Sequence, residues 1–144
     1  MVMTKGAKDL KRFGVSMEPE LLEIFDSYLK KHKYRNRSEA IRDLIRKSLV
    51  EEEWDHNRET VGAVILIYDH HTTGLSQKLN NIQHDFPGKV ITSMHIHLDH
   101  HNCLEVIVAR GKAKSVKALS NDLIAQRGVK YGTLTGATTA KGLP

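Results

Sequence analysis

Residues 93–103 read SMHIHLDHHNC, which places four histidines and the chain's one cysteine within eleven positions. Imidazole nitrogen and thiolate sulfur are donors suited to zinc(II), nickel(II) and copper(II). In an extended strand alternate side chains share a face, so Ser93, His95 and His97 point one way. Val90, Met94, Ile96 and Leu98 form the other set, and this apolar set is expected to lie against the domain's own helices. An odd-numbered hairpin turn would set His97 opposite Cys103 and His95 opposite Glu105. The pattern Leu104, Val106, Val108 on the return strand favours that parity, because it matches the apolar set of its partner. Two imidazoles and one thiolate would then converge on a face that the helices leave open. Three ligands rarely complete a structural site. The fourth is expected from His84 of a neighbouring chain packed sheet to sheet, with His100 and His101 in the turn as competitors that otherwise read as solvated. Zinc would adopt a tetrahedron and nickel or copper a square plane, and spacing alone does not choose the metal.

The elements that must position these groups follow from periodicity. VGAVILIYD, from Val61, reads as a buried strand. TTGLSQKLNNIQHDF is a helix with Leu75, Leu79, Ile82 and Phe86 on one side. KVITSMHIHLD and NCLEVIVARG are strands, KAKSVKALSNDLIAQRG is a helix with Gly128 as its C-cap glycine, and VKYGTLTGAT is a last strand. The order βαββαβ is the ferredoxin-like split βαβ arrangement. Residues 61–136 are therefore expected as one α+β domain, with 137–144 a loose tail and 51–60 (EEEWDHNRET) the end of a helix plus a linker.

Residues 11–50 form a different module, preceded by an arm over 1–10. KRFGVSM alternates, with Phe13, Val15 and Met17 on one side and Arg12, Gly14 and Ser16 on the other. EPELLEIFDSYLKKH is a helix with Pro19 in its first turn and Leu21, Phe25, Tyr28 and Leu29 as its apolar stripe. YRNRSEAIRDLIRKSLVEEEW is a second helix, with Ser38 as N-cap and Ile41, Leu44, Ile45 and Leu49 on its buried face. So short a βαα unit buries little core, and its strand has no nearby hairpin partner. A second copy supplies both, pairing two strands antiparallel and turning Arg12, Gly14 and Ser16 outward. Such a ribbon fits the DNA major groove. The N-terminus of the second helix would offer backbone N–H groups to phosphate, helped by Asn36, Arg37, Ser38 and Arg42.

Composition agrees. The 144 residues carry net charge +5, and residues 1–50 hold all of the excess, with twelve Lys/Arg against seven Asp/Glu. A basic module beside a neutral one suggests a polyanion binder coupled to something else. No apolar run approaches a membrane span, the N-terminal residues lack a secretory core, and a single cysteine suits a reducing cytoplasm.

Residues 11–50, and NRSEAIRDLIR above all, resemble the ribbon-helix-helix repressors. That module followed by a βαββαβ domain carrying QH, HIH and C at these spacings resembles the nickel-responsive repressors (NikR type) over nearly the whole chain. The resemblance implies an ACT-like second domain and a homotetramer, with two DNA-binding dimers flanking a central core. It also implies one planar three-nitrogen, one-sulfur Ni(II) site per subunit, from His95, His97 and Cys103 of one chain and His84 of another. Tyr68 and Glu105 would surround that site. Glu39 and Asp43 would supply carboxylates to a weaker monovalent or divalent cation site, with main-chain oxygens near Ile124, Gln126 and Val129. Nickel would then promote operator binding, with residues 51–60 as the hinge. In ribbon-helix-helix relatives the middle outward strand position carries a base-contacting side chain; here it is Gly14. Other readings are a regulator responding to copper or zinc, a metal-independent autoregulator, or a metal-dependent enzyme.

Overall fold

The computed structural model describes residues 9–144; of the expected arm, residues 1–8 lie outside them. The chain forms two compact units, one ending at Arg42 and the other running Asp43–Pro144.

In the first unit α1 spans Pro19–Lys31, opened by Pro19, whose missing N–H suits a first turn. It closes with Lys33 at φ 59°, where the Tyr34 N–H donates to the Leu29 carbonyl. The helix α2 runs Arg37–Asp55 and continues into the second unit. Its cap is Asn36, whose Oδ1 accepts the Glu39 N–H at 2.9 Å, so Ser38 stands inside the first turn and is not the cap. Residues 11–17, expected as a strand, make no ladder with any other segment among the described residues. A strand exists only through its partner, and the partner expected is another copy. Phe13 and Val15 are accordingly 73 % and 59 % exposed, while among the described residues of this unit only Leu29 and Ala40 are buried.

The second unit is an antiparallel sheet of β1 (Glu59–Tyr68), β2 (Lys89–His97), β3 (Cys103–Lys112) and β4 (Val129–Gly136) in the order β2-β3-β1-β4. Helices α3 (Leu75–His84) and α4 (Ala113–Ile124) give the expected ferredoxin-like βαββαβ sequence. Leu75 and Leu79 of α3 and Val116, Leu119 and Leu123 of α4 pack on Val64, Leu66, Tyr68, Cys103, Ile107 and Ala109. Gly128, expected as a C-cap, lies beyond the cap residue Ala125 in the turn into β4, at φ 104°, where L side chains are strained.

Two expectations change. The segment 51–60 is helix to Asp55 and strand from Glu59, leaving only a short turn between them. The tail also begins anchored, since the Ala137 N–H donates to the Val61 carbonyl and the Thr60 hydroxyl donates to the Ala137 carbonyl.

Candidate metal centre

The β2–β3 hairpin has the expected register, His97 opposite Cys103 and His95 opposite Glu105, closed by the five-residue turn 98–102. Asp99 holds that turn by accepting the backbone N–H groups of His101 and Asn102, both at 2.8 Å. The Asn102 side-chain amide, which also donates to it, and then these backbone bonds hold its carboxyl at about 2, below the usual range.

The face is the reverse of that expected. Cys103, Glu105, Ile107 and Ala109 are the buried set of β3, and they lie with Tyr68, Leu66 and Val64 of β1 under the helices. Ser93, His95 and His97 therefore share the helix side. Met94, Ile96 and Leu98 stand on the open side at 39–53 % exposure. Val90 belongs to the helix side, because an irregularity between Val90 and Thr92 breaks the alternation. The physical reason is strand order. β2 is the edge strand, so its helix-side positions lie at the rim of the helical cover and stay exposed, polar and accessible. The apolar residues meanwhile lie on a face that a single chain does not cover.

The site begins with a buried carboxylate. Glu105 is 5 % exposed and accepts three side-chain hydrogen bonds. Tyr68 O–H donates to Oε2 at 2.8 Å, Ser93 O–H to Oε1 at 2.7 Å, and Gln83 N–H to Oε1 at 3.1 Å. Burial, and then the bond to Glu105, pushes the Tyr68 phenol well up, so it stays protonated. Its oxygen lies 3.4 Å from His95 Nδ1. With the phenolic hydrogen committed to Glu105, that oxygen can only accept. His95 is thus biased to carry its hydrogen on Nδ1 and leave Nε2 as a lone-pair donor. Glu105 thus acts on His95 through Tyr68 as the intermediary.

Beside this network lies the thiol. Cys103 is fully buried, with Sγ 3.4 Å from His97 Nδ1 and 3.0 Å from His70 Nδ1. Burial pushes the thiol up, opposed by a hydrogen bond from the His70 backbone. Burial, and then the neighbouring His71 and His97, pulls the His70 imidazolium down, favouring the neutral ring a metal requires. His70, His97 and Cys103 each offer a donor atom within 4.8 Å of the others. The donor set fits a borderline-soft divalent ion.

His70 was missed from the sequence. It follows β1 in YDHH at the same parity as Leu66 and Tyr68, so extending the alternation two residues would have found it. His95 neighbours the cluster, its ring 5.2 Å from that of His97. His84 ends α3 exposed and outside the cluster, although α3 covers the same face and its neighbour Gln83 reaches Glu105. His100 and His101 stay in the turn, exposed beside His71.

On the first unit Arg12, Gly14 and Ser16 are exposed, and nothing lies within 4 Å of where a Gly14 Cβ would stand. Arg37 forms a bidentate pair with Asp26, both bonds 2.9 Å, so it would have to leave Asp26 or share itself to hold phosphate. Ser38 and Arg42 are exposed on the first turns of α2, and Glu39 and Asp43 stand half-buried one turn apart.

Known proteins resemble both parts. The NikR C-terminal nickel-binding domain model matches residues 61–137, and the ribbon-helix-helix protein, copG family model matches 11–52. Relatives named provisionally as nickel-responsive regulators include one from Desulfovibrio desulfuricans, 53% identical over 94% of this chain and 98% of its own. Another, from Geobacter sulfurreducens, is 54% identical over 92% of this chain and 96% of its own. Among solved structures, an uncharacterized protein from Thermotoga maritima shares the fold of the second unit. Its TM-score is 0.50 at 12% identity, covering 56% of this chain and all of that one.

Proposed function

The chain belongs to the NikR-type nickel-responsive regulators, and on that footing we propose that it represses nickel-uptake or nickel-use genes by binding operator DNA when nickel is present. The observation that carries this is the convergence of His97, Cys103 and a third imidazole at the rim of β2, within a domain of nickel-binding type. The reading as a regulator rather than an enzyme rests on family membership. A cytoplasmic setting accords with it, and no helix among the described residues is long and apolar enough to cross a membrane.

His97 and Cys103 are the central ligands, joined by His95 and by the partner subunit's His84, one ion per subunit. Nickel, when bound, would supply a bridge between chains. His70 is the alternative third nitrogen, favoured by its 3.0 Å approach to Sγ. Cys103 gives up its proton to bind, Tyr68 and Glu105 keep His95 oriented, and Ser93 and Gln83 hold Glu105.

A homotetramer follows from what one chain leaves incomplete. The ribbon lacks its partner strand, and the sheet exposes Ile91, Met94, Ile96, Leu98 and Tyr131 on or beside one apolar face. Burying side chains of this size contributes roughly 1.5–3 kcal/mol each when fully exposed at the start, and part of that here. Two unlike surfaces joining copies give a dimer of dimers. Arg12, Gly14 and Ser16 then face double-stranded operator DNA, with Asn36, Arg37, Ser38 and Arg42 near phosphates.

The test is a gel-shift series against duplexes selected from random DNA by the wild-type protein, with nickel, copper or zinc. Nickel alone is expected to tighten binding in wild type, and His97→Ala and Cys103→Ser to abolish the response. His84→Ala and His70→Ala separate the two candidate donor sets. Indifference of the wild type to nickel would sink the regulator reading.

A further inference from the structure

The chain's single tryptophan lies outside the histidine cluster of the metal centre, and the reading above gives it no task. Trp54 sits one residue from the end of α2. Its indole Nε1–H donates to the Ala137 carbonyl at 2.9 Å, just past β4, and the Lys117 ammonium of α4 stands 5.9 Å from the ring centroid. The ring fits where two strands lack side chains. A Cβ at Gly136 would lie 2.7–3.0 Å from three indole atoms, and one at Gly62 would lie 3.3 Å from the ring. Real Cβ atoms essentially never approach as closely as at Gly136, so that glycine makes room that the ring fills, while at Gly62 the ring shares the space with Val116 and Leu134.

The turn after Trp54 is fastened as firmly. The His56 N–H donates to the Glu52 carbonyl and the Arg58 N–H to the Glu53 carbonyl. Asn57, at φ 53°, turns its Oδ1 to the Lys114 N–H at 2.8 Å, while the Arg58 carbonyl accepts the Ala113 N–H. The segment expected as a hinge is thus bonded to the first turn of α4. The boundary of the compact units lies twelve residues before Trp54, between Arg42 and Asp43, within α2.

We infer that Trp54 is the positioning residue through which the metal-binding domain controls the DNA-binding unit. It makes the C-terminal half of α2 part of the sheet domain, so a change at the metal centre passes along β1 and into α2 without a slack linker. The path is short and stiff. β1 carries Tyr68 at the centre and Gly62 under the indole, six residues apart, or about 20 Å of strand. β1 is also the strand paired to both β3 and β4. Coupling requires an element that both sites bias, and α2 belongs to both units. This inference rests on the regulator reading.

The experiment uses the full chain, nickel, and duplexes selected by the wild type. Trp54→Ala, Trp54→Phe and Gly136→Ala are compared for nickel affinity and for DNA affinity with and without nickel, beside a destabilised control, Leu123→Ala. Trp54→Ala should keep nickel affinity within about twofold and lose at least about tenfold of the nickel-dependent gain in DNA affinity. Trp54→Phe, which keeps a ring but not the Nε1–H bond, should fall between Ala and wild type. Gly136→Ala, which displaces the ring, should follow Trp54→Ala, and Leu123→Ala should keep the full gain. In wild type, Trp54 fluorescence should resist acrylamide quenching equally with and without nickel and DNA. A wild-type gain in Trp54→Phe and Gly136→Ala, or free quenching of Trp54 in either ligand state, would overturn the inference. A wild type without any nickel-dependent gain would overturn the regulator reading and its coupling role together, while quenching would still judge the docking itself.

Discussion

The unit ending at Arg42 and the unit beginning at Asp43 are incomplete in opposite ways. The first is incomplete physically: it buries little beyond Leu29 and Ala40 and leaves Phe13, Val15, Leu21 and Ile24 at least half exposed. The second has a continuous core from Val64 to Leu123, yet its chemistry is unfinished. Its donor cluster reaches three groups, and its open sheet face awaits cover. The difference shows how one chain can use association twice, once to acquire structure and once to acquire a response.

The harshest way to break this contrast is a charge on the ribbon. Phe13→Asp should abolish DNA binding and remove helical signal from the first unit while nickel titration of the second stays within about twofold. Parallel loss of both, read by circular dichroism and calorimetry, would mean the units do not fold separately. Next in size, Cys103→Ser should cost nickel affinity more than the 10- to 100-fold typical of outer partners and remove thiolate-to-nickel absorption, with the sheet intact. Tyr68→Phe, which severs Glu105 from His95, should cost roughly tenfold in nickel affinity without loss of that absorption. Ile96→Lys on the open face should lower the assembly mass seen by light scattering while each chain stays folded; an unchanged mass would leave that face without a partner. Gentler still is acidity. The Cys103 thiol is raised in the folded chain, so nickel must displace its proton, and nickel affinity should climb up to about tenfold per pH unit until the thiol ionises. A flat profile between neutral and mildly alkaline pH would exclude the thiolate as ligand.

Much of this was legible from residue order. The alternation of KRFGVSM, the helix phases and the βαββαβ order depend on local periodicity, and the hairpin parity depended only on matching two apolar patterns. The face was not legible. Leu98, Ile96 and Met94 looked like core because apolar residues usually are, but both sides of this sheet are apolar at its centre. Only strand order reveals which side carries the helices. His70 escaped because the β1 strand was taken to stop at Asp69, one residue short, and its closeness to Cys103 depends on β1 lying beside β3. The 51–60 stretch looked loose because its charges hide one anchoring indole.

What the sequence determined alone is the inventory and its phase: a basic ribbon module, a ferredoxin-like domain, and His95, His97, Cys103 and Glu105 on a common face. Periods of 2 and 3.6 are properties of the backbone, so they survive without knowledge of what packs where. The tertiary structure decided which face that is, that His70 joins the thiol, that Tyr68 mediates between Glu105 and His95, and that Trp54 docks α2. Each of these joins residues distant in the chain, and their adjacency depends on the order in which strands pair, which no local pattern encodes.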